Sequence, residues 1–185
     1  MSRLVERDEI LDFETYGEVR DKVRQEIFKV KEPRRVHVGE DLTFLFENKA
    51  TMRYQIQEMV RVERMVKEAS ILHELETYNQ LLGSPGELPC SLLIEIGDPE
   101  ERAQKLTQWL DLPKHLYVKM SDGAKVYALY DEGQVGEDRL SAVQYLRFPT
   151  EGKAPVAVGT DHPALRLETA LNSDQQAALA KDLNS

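Results

Sequence analysis

Apolar residues in the first half of the chain recur every three or four positions, which is the spacing of an amphipathic helix. This pattern predicts a helix over residues 14–31 that ends before Pro33, because proline cannot continue a helix. A second helix is predicted over about residues 50–68. Ser70 marks the predicted break, after which residues 71–82 continue helically.

Two more helices are predicted from the residues that start them. Asp98 is suited to the N-cap and Pro99 to the first helical position of a helix that reaches Leu110. Ser173 or Asp174 is the predicted cap of a short last helix. The sequence therefore predicts five helical segments.

Alternating apolar and polar residues, bounded by turn residues, predict short β-strands. Residues 39–41 and 121–123 each predict a tight turn that contains glycine. Residues 83–89, "GSPGELP", predict a break in the chain. The predicted strands lie within 36–38, 42–48, 91–96, 115–120, 124–130, 141–148, 154–160 and 164–171.

The order of these elements favours an α+β fold over an alternating βαβ fold. We expect N-terminal helices with a short hairpin, then a mostly antiparallel sheet and a short C-terminal helix. The whole chain, residues 1–185, is predicted to form one domain. Its helical part covers about residues 14–110, and its strand-rich part about residues 115–172.

Composition indicates a cytoplasmic protein. The first residues are charged and lack the apolar segment of a secretory signal, and no apolar run approaches the length of a membrane span. Cys90 is the only cysteine, so no internal disulfide can form, which suits a reducing compartment. A membrane is therefore not an expected partner.

The formal net charge of −9 opposes binding to nucleic acid, because phosphate affinity depends on clustered lysine and arginine. Residues 16–35 are a local exception, since basic residues outnumber acidic ones there. This stretch has two interpretations: a solvated helix face, or a docking patch for an acidic partner. Nucleic-acid binding through residues 20–35 is the least favoured of the functions considered.

No motif for a cofactor or a metal is present, so none is expected. The four histidines are far apart in sequence, and none has a second ligand at metal spacing. "HELET" begins like a zinc-protease signature, but Thr77 stands where the second histidine belongs. Cys90 has no cationic neighbour in sequence and is interpreted as a packing residue.

An acidic residue lies on the predicted buried face of the helix over residues 50–68. At about 100° per residue, Glu63 falls at the centre of the apolar arc and Gln55 at its edge. Arg53, Gln57 and Arg61, followed by Arg64, form the polar stripe. A buried carboxylate needs a partner or becomes protonated. Three explanations are open: Glu63 pairs with an arginine, it is a functional carboxylate, or the helical phase used here is wrong and Glu63 is not buried.

Two residues in the C-terminal half are further candidates. Arg147 shares a predicted strand face with Tyr145. It is either a surface arginine beside a tyrosine or an arginine held inward for an anion or for Glu63. The other arginines considered for Glu63 are Arg34 and Arg35. His162 lies between a turn-forming aspartate and a proline, so it has either a turn role or a ligand role.

The segments "LFENKATMRYQIQEMVRVERM", "SAVQYLRF" and "DHPALRLETAL" resemble a family of bacterial proteins of unknown function over nearly the whole chain. Members of that family tend to be encoded beside a rubrerythrin-like protein and an iron–sulfur oxidoreductase. The resemblance implies a role near oxidative-stress or electron-transfer chemistry, and it assigns no catalytic residue. It gives emphasis to the positions in the most specific block, which are Arg53, Gln55, Glu58, Arg61, Glu63 and Arg64.

The leading hypothesis is an accessory protein without its own enzymatic activity that binds one of these redox proteins. The alternative is an enzyme or a metal- or small-ligand-binding protein, with a site around Glu63 and Gln55 joined by Arg147 and His162. The sequence leaves open whether the chain forms a homo-oligomer.

Overall fold

The structure is a computed structural model, and it describes residues 2–185. These residues form five α-helices and eight β-strands. The helices are α1 Phe13–Lys31, α2 Lys49–Val62, α3 Glu68–Leu81, α4 Pro99–Gln108 and α5 Ser173–Leu183. The strands are β1 Arg35–Val38, β2 Leu42–Phe46, β3 Glu87–Ile94, β4 Leu116–Lys119, β5 Lys125–Tyr127, β6 Val143–Pro149, β7 Ala157–His162 and β8 Leu165–Ala170.

The strands form two four-stranded sheets, and every pairing in them is antiparallel. Sheet A has the order β1-β2-β3-β6, and sheet B has the order β5-β4-β7-β8. The predicted α+β class, the early hairpin and the C-terminal helix are confirmed. Sheet A takes three strands from the helix-rich first half of the chain and its fourth, β6, from the second half.

The sheets and helices pack around two hydrophobic cores. The larger core combines apolar side chains of both sheets with residues of α4 and α5, including Leu106 and Leu179. The predicted inward face of β3, with Leu92 and Ile94, belongs to this core. A second core joins the N-terminal segment to α2 and α3 through residues that include Ile56. Sheet A and the helical layer are thus each anchored by buried apolar contacts.

β3 begins earlier than the sequence predicts. The predicted break over residues 83–89 is wrong at its end, because the strand already starts at Glu87 and contains Pro89. The Pro89 carbonyl accepts a hydrogen bond from the Glu47 N–H at 2.9 Å, so the side of Pro89 that lacks an N–H faces Glu47, just past the end of β2. On the other side, Pro89 lies opposite Arg147, whose backbone bonds with Leu129 instead, at 2.9 and 2.7 Å. Proline is tolerated in this central strand because its missing donor falls outside both strand ladders.

The start of α4 agrees with the sequence signals, whereas the start of α5 does not. Asp98 accepts a hydrogen bond from the Glu101 N–H and caps α4, and Pro99 is its first residue, as predicted. The predicted cap of the last helix is wrong by one residue. Asn172 caps α5 instead, and it exchanges reciprocal hydrogen bonds with Gln175.

Candidate functional site

α2 ends at Val62, about two turns of helix earlier than the sequence predicts. The Arg64 N–H donates to the Arg61 carbonyl at 3.2 Å, and the Met65 N–H donates to the Val60 carbonyl at 3.0 Å. These two bonds form a Schellman motif, which closes a helix when the residue after the C-cap adopts the left-handed conformation. The chain then continues to α3, which starts at Glu68 rather than after Ser70.

Arg64 holds that left-handed position, with φ of 46°. Glycine is the usual residue there, because a side chain in this conformation crowds the backbone. Met65 packs on the second core together with Val60, and this contact fixes the turn in place. Burial of Met65 thus stabilises a turn that Arg64 disfavours locally, at a cost of about 1 kcal/mol.

The turn between α2 and α3 presents a group of exposed side chains that we call the corner patch. Val62 is 63% exposed and Val66 is 77% exposed, the two highest values among the large apolar residues. Arg61 is half-buried, and Arg64 and Lys67 are exposed. The corner patch consists of Arg61, Val62, Arg64, Val66 and Lys67.

The prediction that Glu63 lies in a buried arc is wrong. Glu63 is the C-cap of α2 and is exposed. The helical wheel extended the helical phase past Val62, where the helix has already ended. Met52, Ile56 and Val60 form the buried stripe.

Gln57 is buried, although the sequence places it on the polar stripe, whereas Gln55 is half-buried. Gln57 accepts a hydrogen bond from the Leu11 N–H at 2.9 Å and donates one to the Leu11 carbonyl at 2.8 Å. The amide therefore acts like a strand partner for the N-terminal segment, which explains its position on the inner side of α2.

Glu58 joins α1 to α2. It accepts two hydrogen bonds from the Arg20 guanidinium, at 2.8 and 2.9 Å, and one from the Tyr16 hydroxyl at 2.6 Å. The guanidinium lowers the pKa of Glu58, while burial raises the pKa of Tyr16. Both oxygens of Glu58 have partners within the protein, so this carboxylate has a structural role in the helix pair.

The two predicted arginine candidates outside the corner patch make separate contacts. Arg53 is exposed, with one nitrogen 3.9 Å from Glu9. Arg147 pairs with Glu87 at 3.2 Å. The predicted ion pair between Glu63 and an arginine is absent from residues 2–185. Arg53, Glu63 and Arg147 are therefore not joined to one another by ion pairs.

His162 lies at the end of β7 and is buried. Its Nδ1 accepts a hydrogen bond from the Ala164 N–H at 3.1 Å, and its Nε2 lies 2.9 Å from Asp111. An accepting Nδ1 carries no proton, so Nε2 is the donor to Asp111. That hydrogen bond lowers the pKa of Asp111. Both nitrogens of His162 are occupied, as a turn role predicts.

His115 extends this pair into a small polar cluster on sheet B. Its ring lies 5.2 Å from the His162 ring, edge to face, and its Nδ1 lies 3.1 Å from Asp161. The Tyr127 hydroxyl donates to Asp161 at 2.5 Å and lowers the pKa of that carboxyl. The sequence did not indicate this cluster, because its members are brought together only by the pairing of β4, β5 and β7.

No group of three or more His, Cys, Asp or Glu side chains among residues 2–185 is arranged to hold a metal ion. None of the helices that these residues form has the length and hydrophobicity that crossing a membrane requires. Cys90 is buried in the larger core, and burial raises the pKa of its thiol.

The buried carboxylate that the sequence placed at Glu63 is found instead at Glu47, directly after β2. Glu47 is 7% exposed, and burial raises the pKa of its carboxyl. One sequence signal was available. Alternate residues of a strand lie on the same face, so Glu47 continues the face of β2 that carries Thr43 and Leu45. All five residues of β2 are buried.

These observations define an α+β protein with two antiparallel sheets, a helical layer and an exposed corner between α2 and α3. A family model described as "protein of unknown function (DUF3501)" matches residues 4–183, and the chain belongs to this family. The predicted membership of a family of unknown function is thereby confirmed.

The chain is also similar to a solved structure, a protein of unknown function from Burkholderia pseudomallei K96243. The two chains are 31% identical, the match covers 96% of this chain and 98% of the other, and the TM-score is 0.87. No curated protein matches the chain.

Proposed function

We propose that this chain is a cytoplasmic accessory protein that binds a redox protein through the corner patch. The observation that carries the proposal is the exposure of Val62 and Val66, 63% and 77%, beside three cationic side chains. Single exposed apolar residues are common on protein surfaces, but here two of them lie together, and arginine, which is enriched in protein interfaces, lies beside them.

The backbone at Arg64 supports the same conclusion. A left-handed non-glycine residue costs folding free energy, and such residues concentrate at functional sites. Glycine would close the helix at lower cost, but it would remove the guanidinium from the patch. The arginine therefore contributes something other than stability.

Charge indicates what kind of partner fits the patch. Arg61, Arg64 and Lys67 make no ion pair within residues 2–185, and Glu63 is the only acidic residue between them. This local excess of positive charge lies on a chain whose net charge is −9. The patch is thus suited to an acidic surface with an apolar centre.

The family resemblance supplies the candidates for that partner. A rubrerythrin-like protein and an iron–sulfur oxidoreductase are the proteins that the resembled family tends to have encoded nearby. We infer that one of them carries the acidic surface. This choice rests on gene association, whereas the position of the interface rests on the geometry of the corner.

The first prediction concerns the two valines. Changing Val62→Asp and Val66→Asp together is expected to weaken binding of the redox partner at least about tenfold, because two carboxylates replace apolar contacts and face an acidic surface. Isothermal titration calorimetry with the purified rubrerythrin-like protein and with the purified iron–sulfur oxidoreductase measures this effect. Both valines are exposed, so the double variant should remain folded.

Val143→Asp is the matched control, because Val143 is a 38% exposed valine on β6, away from the corner. It is expected to bind the partner like the wild type. Equal binding by the double variant and the wild type would contradict the proposal, as would a lack of association with both neighbours after crosslinking. A wild-type dimer that the double variant disrupts would assign the patch to a second copy of the chain instead.

The second prediction concerns Arg64. Arg64→Gly is expected to raise the free energy of unfolding by about 1 kcal/mol, because glycine adopts the left-handed conformation without crowding. The same variant is expected to weaken partner binding, because it removes a cation from the patch. Urea denaturation and calorimetry provide the two measurements.

Arg64→Ala separates these two effects. Alanine keeps the crowded conformation and loses the charge, so it should bind the partner as weakly as the glycine variant without the gain in stability. If Arg64→Gly is no more stable than Arg64→Ala, the left-handed turn stores no strain and that part of the argument fails.

A further inference from the structure

Glu47 is a buried carboxylate with hydroxyl hydrogen-bond partners but no cation paired with it. The Ser91 hydroxyl donates to its Oε1 at 2.8 Å. The Thr51 hydroxyl is a second hydrogen-bond partner of this carboxyl, and both hydroxyls favour its ionised form. Glu47 forms no ion pair with residues 2–185.

Glu47 lines a cleft of about 410 Å³ between the N-terminal segment, the end of β2, the start of β3 and the end of α5. Leu82, Leu88 and Pro89 give the cleft an apolar wall. Asn48 and Asn184 add amide groups to its lining. The cleft combines an aliphatic surface with polar groups, which is the composition of a small-molecule site.

The other charged side chains that line this cleft already have partners. Asp182 pairs with Arg34 at 2.7 Å, and Glu87 pairs with Arg147 at 3.2 Å. The remaining partnered groups are Lys49, 2.9 Å from Glu9, and Arg3, which donates to the Leu82 and Glu87 carbonyls at 2.9 Å each. Among the described residues, Glu47 is the one side-chain carboxylate of the lining without a cation.

The surroundings of Glu47 do not neutralise it from other directions. Lys31 and Arg35 act on the carboxyl only at longer range, and their effect is smaller than that of burial. The outcome is a raised pKa for Glu47, so the ionised form carries a cost that a cation in the cleft would remove. A carboxylate kept at such a cost is typical of a binding site.

We propose that this cleft binds a small primary amine in its ammonium form, with the ammonium group on the Glu47 carboxylate and a short aliphatic chain against the apolar wall. The ammonium supplies the positive charge that the carboxylate lacks, together with charge-assisted hydrogen bonds. This site is separate from the corner patch, and its existence does not depend on the proposed accessory function.

The third prediction tests this site with n-butylammonium chloride as the probe. The wild-type protein is expected to bind the probe saturably at pH 8 in isothermal titration calorimetry, and Glu47→Gln to bind it at least about tenfold more weakly. n-Butanol, which has the same chain without the charge, should not bind measurably. Glu95→Gln, a change at an exposed glutamate, should bind the probe like the wild type.

A stability measurement without the probe shows that the variant is folded. Glutamine keeps an acceptor for Ser91 and cannot ionise, so Glu47→Gln should melt at or above the wild-type temperature at pH 8. That difference should shrink below about pH 4.5, where the wild-type carboxyl is protonated both folded and unfolded. Equal binding of the probe by wild type and Glu47→Gln, binding of n-butanol as tight as that of the probe, or no binding of the probe would each overturn the proposal. None of these results would bear on the corner patch.

Discussion

Changing Asp182→Ala is expected to lower the free energy of unfolding by about 4 kcal/mol. The Asp182 carboxylate accepts two hydrogen bonds from Arg34, at 2.7 and 2.8 Å, and the two side chains are only 10% and 8% exposed. Removal of the carboxylate leaves the guanidinium buried without a counterion, and this is the costly part of the change.

The same carboxylate connects three parts of the fold. Arg34 lies in the short turn that follows α1, and it also donates to the Val30 carbonyl at 2.6 Å. Asn48, the N-cap of α2, donates to Asp182 at 3.2 Å. Loss of Asp182 is therefore expected to loosen α5 together with the starts of β1 and α2.

Urea and thermal denaturation measure this effect, and a loss of about 4 kcal/mol corresponds to a fall in the melting temperature of roughly 10 °C. Glu68→Ala is the matched control, because it breaks the bidentate pair with Arg7 on the exposed surface and should leave the midpoint nearly unchanged. The double change Arg34→Met with Asp182→Leu should recover much of the loss, because no charge remains buried. A small loss in Asp182→Ala would show that solvent reaches Arg34.

Gly159→Ala is the fifth prediction, with an expected loss of about 3 kcal/mol in the free energy of unfolding. A Cβ atom at this position of β7 would overlap the backbone carbonyl oxygen of Leu167 on β8. It would also lie 2.9 Å from the Tyr117 hydroxyl, which crosses the glycine to donate to Glu168 at 2.7 Å. Both the backbone of sheet B and this hydrogen bond must therefore shift.

Gly17→Ala provides the matched control for the same chemical change. Gly17 lies inside α1, and a Cβ there would meet no atom within 4 Å. This substitution is expected to raise the free energy of unfolding by about 1 kcal/mol, because alanine is the better helix former. If Gly159→Ala is also neutral or stabilising, β7 and β8 separate easily and the close approach at Gly159 has no energetic weight.

Local sequence signals predicted much of the secondary structure. The hairpin turn at residues 39–41 depends on a glycine with positive φ, and the start of α4 depends on the adjacent Asp98 and Pro99. These signals work because the groups that form the hydrogen bonds lie within a few residues of each other. The order of the strands has no such signal, since β6 joins β3 across about 50 residues.

The end of α2 shows where local signals fail. The helical pattern continues through Val66, and no glycine or proline marks Arg64 as the residue after the cap. The turn forms because Met65 packs on the second core beside Val60. Met65 is partly buried by residues of the N-terminal segment and α3, which a helical wheel of α2 does not include. The wheel therefore predicted a buried Glu63, although Glu63 lies at the exposed end of α2.

The sequence by itself determined the α+β class, most helices and strands, and the block of residues in which the corner patch lies. Only the tertiary structure decided which charged side chains are buried. Arg34 meets Asp182 across 148 positions, and Ser91 meets Glu47 across 44. The physical reason is that the periodicity of apolar residues reports which side of one element faces inward, whereas the burial and pairing of a charge depend on the elements that pack against it.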